Sequence, residues 1–145
     1  MGGGVIFEKI DKRYRPFKNL AGRTVGFLNE DQYGAGLEYS FNEYLKGRNG
    51  EALFQKIVGG SWKPLHDADD IKPTDGFDIV TTLDVNIQDV AESVLLKQLI
   101  NKDAAFGSVI VMEVATGHIK AIANLEKNKK SYGYGEYYNY AVGEQ

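Results

Sequence analysis

The first group of residues with chemical potential lies in a polar loop, where one histidine precedes three carboxylates. These residues are His66, Asp67, Asp69 and Asp70. Imidazole and carboxylate oxygens can hold a divalent cation, but one histidine among loop carboxylates is more typical of a solvated, charged surface. His118 follows a glycine and has no histidine or cysteine nearby, so we expect an exposed strand residue. The sequence therefore predicts no metal site and no cofactor.

A second group combines lysines with tyrosines, a pairing that can bind single-stranded nucleic acid through charge and base stacking. Its members are Lys127, Lys129, Lys130, Tyr132, Tyr134, Tyr137, Tyr138 and Tyr140. Glu126 and Glu136 lie among them, and the whole chain carries a net charge of −3. We therefore expect no nucleic-acid partner and interpret the segment after Glu126 as a mobile surface loop that packs on another lobe.

The composition is that of an ordinary globular protein, with 43% hydrophobic and 26% charged residues among 145. This length fits one domain or two small lobes. The absence of cysteine excludes disulfides, thiol catalysis and cysteine metal sites. No apolar run approaches the ~20 residues that span a bilayer, and no signal peptide is visible.

A capped helix between extended segments is the strongest periodic pattern. Residues 77–82 are β-branched and favour a strand, and Asp84 or Asn86 can cap the following helix. The apolar stripe of that helix comprises Ile87, Val90, Ala91, Val94, Leu95 and Leu99. A hairpin then follows, with strands over 108–114 and 118–125 and a turn at Ala115, Thr116 and Gly117. The first of these strands is nearly all apolar, so we expect both of its faces to be covered.

The first half of the chain predicts shorter elements. Apolar residues at helical spacing over 37–45, followed by Gly47, predict a short helix and its C-terminal end. Asn49-Gly50 is the strongest two-residue hairpin signal in the chain. We expect a strand over 51–58 after that turn, ended by Gly59 and Gly60.

Three groups of residues resemble, in order, motifs of the class B penicillin-binding proteins. The first is Arg13-Tyr14-Arg15-Pro16, then Leu20-Ala21 and Thr24-Val25-Gly26-Phe27. It is similar to the family's Arg-x-Tyr-Pro segment, except that the tyrosine directly follows Arg13. The second group is Gly36-Leu37-Glu38 with Leu45-x-Gly47-x-x-Gly50. The third contains Thr82, Asp84, Gln88, Thr116, Gly117 and the later run Asn139-x-Ala141-Val142.

This resemblance implies an α+β fold. A pedestal, or dimerisation, lobe of short strands with a short helix would precede a strand–helix–β-hairpin piece of a transpeptidase domain of the β-lactamase-like kind. We assign residues 1–4 to a flexible lead or linker, 5–72 to the pedestal and 73–145 to the start of the transpeptidase domain. The structural motif candidates are Arg13, Pro16, Gly36, Glu38, Thr82, Asp84, Gln88, Thr116 and Gly117. We expect Arg13 and Glu38 to form a charge-assisted pair.

The family's catalytic serine is followed three residues later by a lysine, whose amine activates the hydroxyl. The residues three positions after Ser40, Ser61, Ser93, Ser108 and Ser131 are Glu43, Pro64, Leu96, Val111 and Tyr134. The sequence therefore predicts no catalytic residue in this chain, which stops before the family's Ser-x-x-Lys motif. We expect it neither to react with penicillin nor to cross-link peptidoglycan.

For the full-length protein, the resemblance implies peptidoglycan cross-linking on the periplasmic side of the inner membrane, in division or cell shape, with an anchor outside this chain. For this chain it implies a non-catalytic region that contacts other cell-wall synthesis proteins. A stand-alone binding or scaffold module of the cell envelope is the alternative. The apolar residues Val109, Val111 and Ile119 predict a homodimer contact or strand exchange through an exposed edge.

Overall fold

The computed structural model describes residues 13–65, 71–131 and 133–143. The predictions for residues 1–4, for the cluster at 66–70 and for Tyr132 therefore lie outside the described residues.

Short elements occupy the first part of the chain. Helix α1 (Gly22–Val25) precedes strand β1 (Phe27–Leu28), which pairs antiparallel with β2 (Gly34–Ala35). Helices α2 (Gly36–Ser40) and α3 (Asn42–Leu45) follow. The predicted helix over 37–45 is thus two helical turns that meet at Phe41. Gly47 has a φ of +63°, as the predicted helix end requires.

The hairpin of the first half turns at a different place from the one predicted. Strands β3 (Leu53–Lys56) and β4 (Trp62–Leu65) are antiparallel, and the turn between them contains Gly59 and Gly60, both with positive φ. Asn49-Gly50 makes no hairpin. Residues 48 and 51 pair instead with 74 and 71, and a Cβ on Gly50 would lie 2.6 Å from Cδ of Pro73. This glycine permits a close approach of two segments rather than a reversal of the chain.

The long helix is the one that the sequence predicts. Helix α4 (Val85–Lys102) begins at Asp84, whose carboxylate accepts hydrogen bonds from the backbone N–H groups of Asn86 and Ile87. The buried side of α4 is narrower than the predicted stripe. It consists of Gln88, Ala91, Leu95 and Leu99, while the flank with Ile87, Val90 and Val94 stays exposed because the helix meets the sheet along one face.

A three-stranded antiparallel sheet packs on α4, with strand order β5-β6-β7. Its strands are β5 (Phe106–Met112), β6 (Ile119–Lys127) and β7 (Tyr134–Gly135). The core joins the buried residues of α4 to Ala121, Ala123 and Leu125 of β6. The predicted hairpin is confirmed, and Gly117 has the positive φ that its turn needs.

Strand β5 is covered on one face rather than two. Val109 and Val111, two of the residues on which the homodimer prediction depends, are partly buried and pack against the core. The alternate residues, including Phe106, Ile110 and Met112, are exposed on the opposite face. This open apolar face arises because side chains alternate along a strand and α4 lies on one side of the sheet.

Residues 77–82 do not form a strand. Their β-branched composition favours extended backbone, but within the described ranges no strand forms a ladder with them, and β propensity depends on such neighbours. Among the described residues, no helix has the length and apolar content needed to cross a bilayer.

Candidate functional site

The first two motif groups meet at the start of the described chain. The guanidinium of Arg13 pairs with the Glu38 carboxylate and donates to the carbonyl of Gly26 at 3.0 Å. The predicted charge-assisted pair is therefore confirmed. Pro16 opens the turn that carries the chain from this pair to α1.

Two glycines allow these motif groups to touch. Gly36 has a φ of +71°, and a Cβ on it would lie 2.6 Å from the Arg23 carbonyl oxygen. A Cβ on Gly26 would lie 1.8 Å from the carbonyl oxygen of Ala35. Both positions exclude a side chain, so the glycines permit α1 and α2 to pack backbone against backbone.

The third motif group joins the start of α4 to the hairpin. The Thr82 hydroxyl donates to the Ile119 carbonyl at 2.7 Å, and the Asp84 N–H donates to Lys120 O at 2.9 Å. Asp84 therefore has two roles, since its carboxylate caps α4 while its backbone binds β6. These contacts fix the N-terminal end of α4 on one edge of the sheet.

Gln88 lies at the same edge of the sheet, where its side chain makes the hydrogen bonds that a neighbouring strand would make. Its side chain is 1% exposed. Its amide nitrogen donates to the Ile122 carbonyl at 2.7 Å, and its oxygen accepts the Ile122 N–H at 2.9 Å. One side-chain amide thus satisfies both outward-facing backbone groups of a residue in β6, as a neighbouring strand would.

Two carboxylates bind the first part of the chain to this same edge. Glu92 of α4 accepts the Ala21 N–H and the side-chain amide of Gln88, each at 2.8 Å. Glu136, just after β7, accepts the Arg23 N–H at 3.0 Å and the Asn124 N–H at 3.3 Å. We call these two carboxylates and their four donors the polar junction.

Burial raises the pKa of the Glu136 carboxyl, and the negative charge of Glu92 raises it further. The N–H groups of Arg23, Asn124 and Gly22 act in the opposite direction, but they do not cancel the effect. The junction therefore holds negative charge at a position where the surroundings disfavour it.

A cleft of about 680 Å³ lies beside the junction. Its lining includes Glu92 and Glu136, the basic residues Arg15 and Arg23, and Tyr137. Because both charge signs line the cleft, it does not select one class of ion. Within the described part of the chain, no three metal-binding side chains come together.

A buried pair of asparagines organises the last described residues. Asn124 and Asn139 are 0% and 6% exposed, and their side chains are hydrogen-bonded at 3.0 Å. The Asn139 carboxamide oxygen also accepts the N–H groups of Ala141 and Val142, and its carbonyl accepts the Gly143 N–H. The Asn139-x-Ala141-Val142 run is thus one helical turn capped by its asparagine.

The remaining motif residues lie at the far end of the hairpin. The Thr116 hydroxyl donates to the Glu113 carboxylate at 2.5 Å, and this bond, with the charge of Lys120, lowers the pKa of Glu113. Gly117 donates its N–H to the Glu113 carbonyl. His118 is exposed, as predicted, but it lies immediately before β6 rather than in the strand. Thr116 and Gly117 therefore form the turn and lie away from the polar junction.

Part of the lysine and tyrosine cluster, which the sequence predicts to be a loop, forms a short strand and packs on the fold. Strand β7 pairs with β6, and the Tyr134 hydroxyl lies 2.7 Å from the Ala104 carbonyl oxygen, just beyond the C-terminal end of α4. Lys127 pairs with Asp103, and the Tyr140 ring stacks on Phe106 at 4.5 Å. Contacts within the chain thus hold Lys127, Tyr134 and Tyr140.

Sequence reasoning missed Glu92, Glu136 and Asn124. Glu92 and Asn124 belong to none of the residues singled out in the motifs, and Glu136 falls in the segment that the sequence predicts to be a loop. For Glu92, the sequence does contain one signal. Glu92 follows Gln88 by one helical turn, so both side chains lie on the same face of the helix.

Relatives of known name share most of this chain. A probable peptidoglycan D,D-transpeptidase PenA of Neisseria meningitidis serogroup B is 36% identical over 121 residues, which are 82% of this chain and 21% of that protein. The peptidoglycan D,D-transpeptidase FtsI of Escherichia coli K12 is 28% identical over 122 residues, or 83% of this chain and 20% of that protein. No protein-family model matches the chain.

A solved structure shares the fold as well as the sequence. The peptidoglycan synthetase from Bifidobacterium adolescentis matches with a TM-score of 0.59 at 32% identity, over 72% of this chain and 19% of that one. The chain thus spans about a fifth of the length of the relatives that it matches. Together with the motif groups that meet in the structure, these relatives show that the chain belongs to the class B penicillin-binding proteins, of which it is a fragment.

Proposed function

We propose that this chain is a non-catalytic structural region of a peptidoglycan D,D-transpeptidase. Its task is to hold the start of the transpeptidase lobe, formed by α4 and the sheet, against the pedestal segment with α1 and α2. The observation that carries the proposal is the polar junction, in which Ala21 and Arg23 donate to carboxylates of the other segment.

The sequence supports the non-catalytic part of the proposal. Acyl transfer in this family needs a serine with a lysine three residues later, and none of the five serines has one. Ser93 and Ser108 fall on α4 and β5, while Ser40 ends α2. None of these positions supplies the adjacent amine that would activate the hydroxyl.

The proposed setting is the periplasmic side of the inner membrane, where the named relatives would find their peptidoglycan substrate. There the region would contact other cell-wall synthesis proteins. The exposed hairpin β3–β4, with Phe54, Val58 and Trp62 on its surface, is a candidate for such a contact because it packs little against the rest of the chain.

A second candidate is a stand-alone scaffold module of the cell envelope that forms homodimers. The observation that favours it is the outer edge of β5, which no described strand pairs with. Residues 106–112 contain neither a charged residue nor a proline, the usual protections of an edge strand. Light scattering distinguishes the two candidates. If the chain is monomeric at high concentration, the homodimer is excluded.

The first test of the main proposal is covalent labelling with a fluorescent penicillin. We expect no labelled band on a denaturing gel, because the chain lacks the activated serine. A labelled band that survives denaturation would contradict the non-catalytic assignment.

The second test measures whether the junction holds α1 in place. We expect trypsin to cleave after Arg23 slowly in the natural chain and much faster in Glu92→Ala, which removes the acceptor of the Ala21 N–H. Glu43→Ala is the matched control, because that glutamate is exposed and pairs within its own helix end with Lys46. If trypsin cleaves the natural chain after Arg23 as fast as it cleaves Glu92→Ala, the junction does not hold α1 in place.

A further inference from the structure

The last described segment lies over the face of the sheet that α4 leaves open. Asn124 follows Ala123, which belongs to the core, so its side chain points to the face opposite α4. It is nevertheless completely buried, because the turn that begins at Asn139 lies against it. Tyr140 of the same turn stacks on Phe106 of β5. Two neighbouring contacts therefore hold the turn on this face.

The two buried carboxamides have defined orientations. The backbone nitrogens of Ala141 and Val142 lie 3.1 and 3.4 Å from Oδ1 of Asn139. A backbone N–H can only donate, so the atom that it meets must be the oxygen of the carboxamide. The atom of Asn124 that lies 3.0 Å from the same oxygen is therefore its nitrogen, and Asn124 is the donor of the pair.

A helix cap by itself does not require this arrangement. A cap needs one side-chain oxygen, which serine, threonine or aspartate also supplies. Asn139 is only 6% exposed and receives a donor from a strand residue 15 positions earlier in the chain. Buried polar groups that satisfy each other rigidify a structure and make one arrangement specific. The pair therefore fixes where the turn lies on the sheet, in addition to capping it.

Asn124 also connects the turn to the polar junction. Its backbone N–H donates to Glu136 at 3.3 Å, and the same carboxylate accepts the Arg23 N–H of α1 at 3.0 Å. Its side chain holds Asn139, which follows Glu136 by three residues. One residue of β6 thus fixes both ends of the short segment that runs from the junction to the turn.

We propose that Asn124 and Asn139 are positioning residues, which fix the course of the chain over the sheet before it reaches the family's Ser-x-x-Lys motif. This inference rests on the proposed structural function and adds a second task to it. The region joins the pedestal segment to the α4–sheet unit, and it also sets the place at which the following segment leaves the sheet. Both asparagines act through that segment and not through contact with substrate.

Two aspartate variants separate the donor from the acceptor. Asn139→Asp keeps the oxygen that its three donors use, so we expect the amides of Ala141 and Val142 to stay protected from hydrogen exchange. Asn124→Asp places an oxygen against Oδ1 of Asn139 where the nitrogen was, so we expect these amides to exchange roughly tenfold faster. Asn124→Leu removes the nitrogen without adding a charge and should show the same acceleration.

Asn29→Asp is the matched control, because Asn29 is exposed in the turn between β1 and β2. The amide of Leu95 in the core of α4 should keep its protection in every variant, and equal acceleration there would overturn the proposal. Unchanged exchange at Ala141 in both Asn124 variants would also overturn it, as would equal acceleration in the two aspartate variants. Rapid exchange at Arg23 in the natural chain would instead overturn the proposed structural function.

The full-length protein provides the functional measurement. A displacement of about 1 Å in a reacting group can slow a reaction by about 10²-fold. We therefore expect a fluorescent penicillin to acylate Asn124→Asp about 10–100-fold more slowly than the natural protein, whereas Asn29→Asp should keep the natural rate. An unchanged rate in Asn124→Asp, with the amides of the turn released, would overturn the positioning of the Ser-x-x-Lys motif.

Discussion

Replacement of Gln88 by methionine tests how α4 is attached to the sheet. Methionine has a similar length and remains apolar, so it fills the buried space but neither donates nor accepts the hydrogen bonds of the amide. The N–H and carbonyl of Ile122 would then lose partners that lie at 2.9 and 2.7 Å. Glu92 would also lose the donor at 2.8 Å.

The expected magnitude follows from the two orphaned backbone groups. An unsatisfied buried donor or acceptor costs about 1–3 kcal/mol. Ile122 is half-buried, so water can recover part of this cost. We therefore expect Gln88→Met to lower the free energy of unfolding by about 2–4 kcal/mol, a large share of the roughly 5–15 kcal/mol of a typical domain.

Urea unfolding followed by circular dichroism at the helix band measures this change. Gln98→Met is the matched control, since it makes the same replacement on an exposed position of the same helix, where about 0.5 kcal/mol or less is expected. Faster amide exchange at Ile122 in Gln88→Met would locate the defect. If the two variants lose equal stability, the strand-like role of Gln88 is refuted.

Three further predictions use the same unfolding assay. The double variant Arg13→Glu with Glu38→Arg exchanges the two charges. Its loss of unfolding free energy should be about 0.5–1 kcal/mol smaller than the summed losses of the two single variants, and losses that simply add would contradict the ion pair. Gly36→Ala should cost about 1–3 kcal/mol, because the residue has a φ of +71°, and a neutral result would contradict the close packing of α1 on α2. Asp84→Ala should cost about 1 kcal/mol through loss of the cap, whereas Asp89→Ala should stay within about 0.5 kcal/mol.

The second half of the fold was predictable because its signals are local. The cap at Asp84, the period of α4 and the turn at Gly117 each depend on residues close in sequence, and all three are confirmed. The strand predicted over 77–82 failed since strand formation needs a neighbour that composition does not reveal. The apolar stripe of α4 is wider than the buried face of the helix, because the sheet covers only one side of α4.

The polar junction could not be predicted from the sequence. Glu136 reaches Arg23 across 113 positions, and Glu92 reaches Ala21 across 71. No periodicity or turn signal encodes such contacts, since they depend on how the elements pack. The pairing of Arg13 with Glu38 was anticipated because both residues belong to motifs of one family, so the resemblance carried information that spacing lacks.

The central claim is that the pedestal segment and the α4–sheet unit form one joined structural region. Native-state hydrogen exchange at increasing urea concentration tests it most directly, by comparing the amides of Ala21 and Arg23 with that of Leu95 in the core of α4. The account predicts that all three become exposed in the same cooperative opening and share one free energy. Exchange of Ala21 and Arg23 through a much easier opening, while Leu95 stays protected, would contradict it.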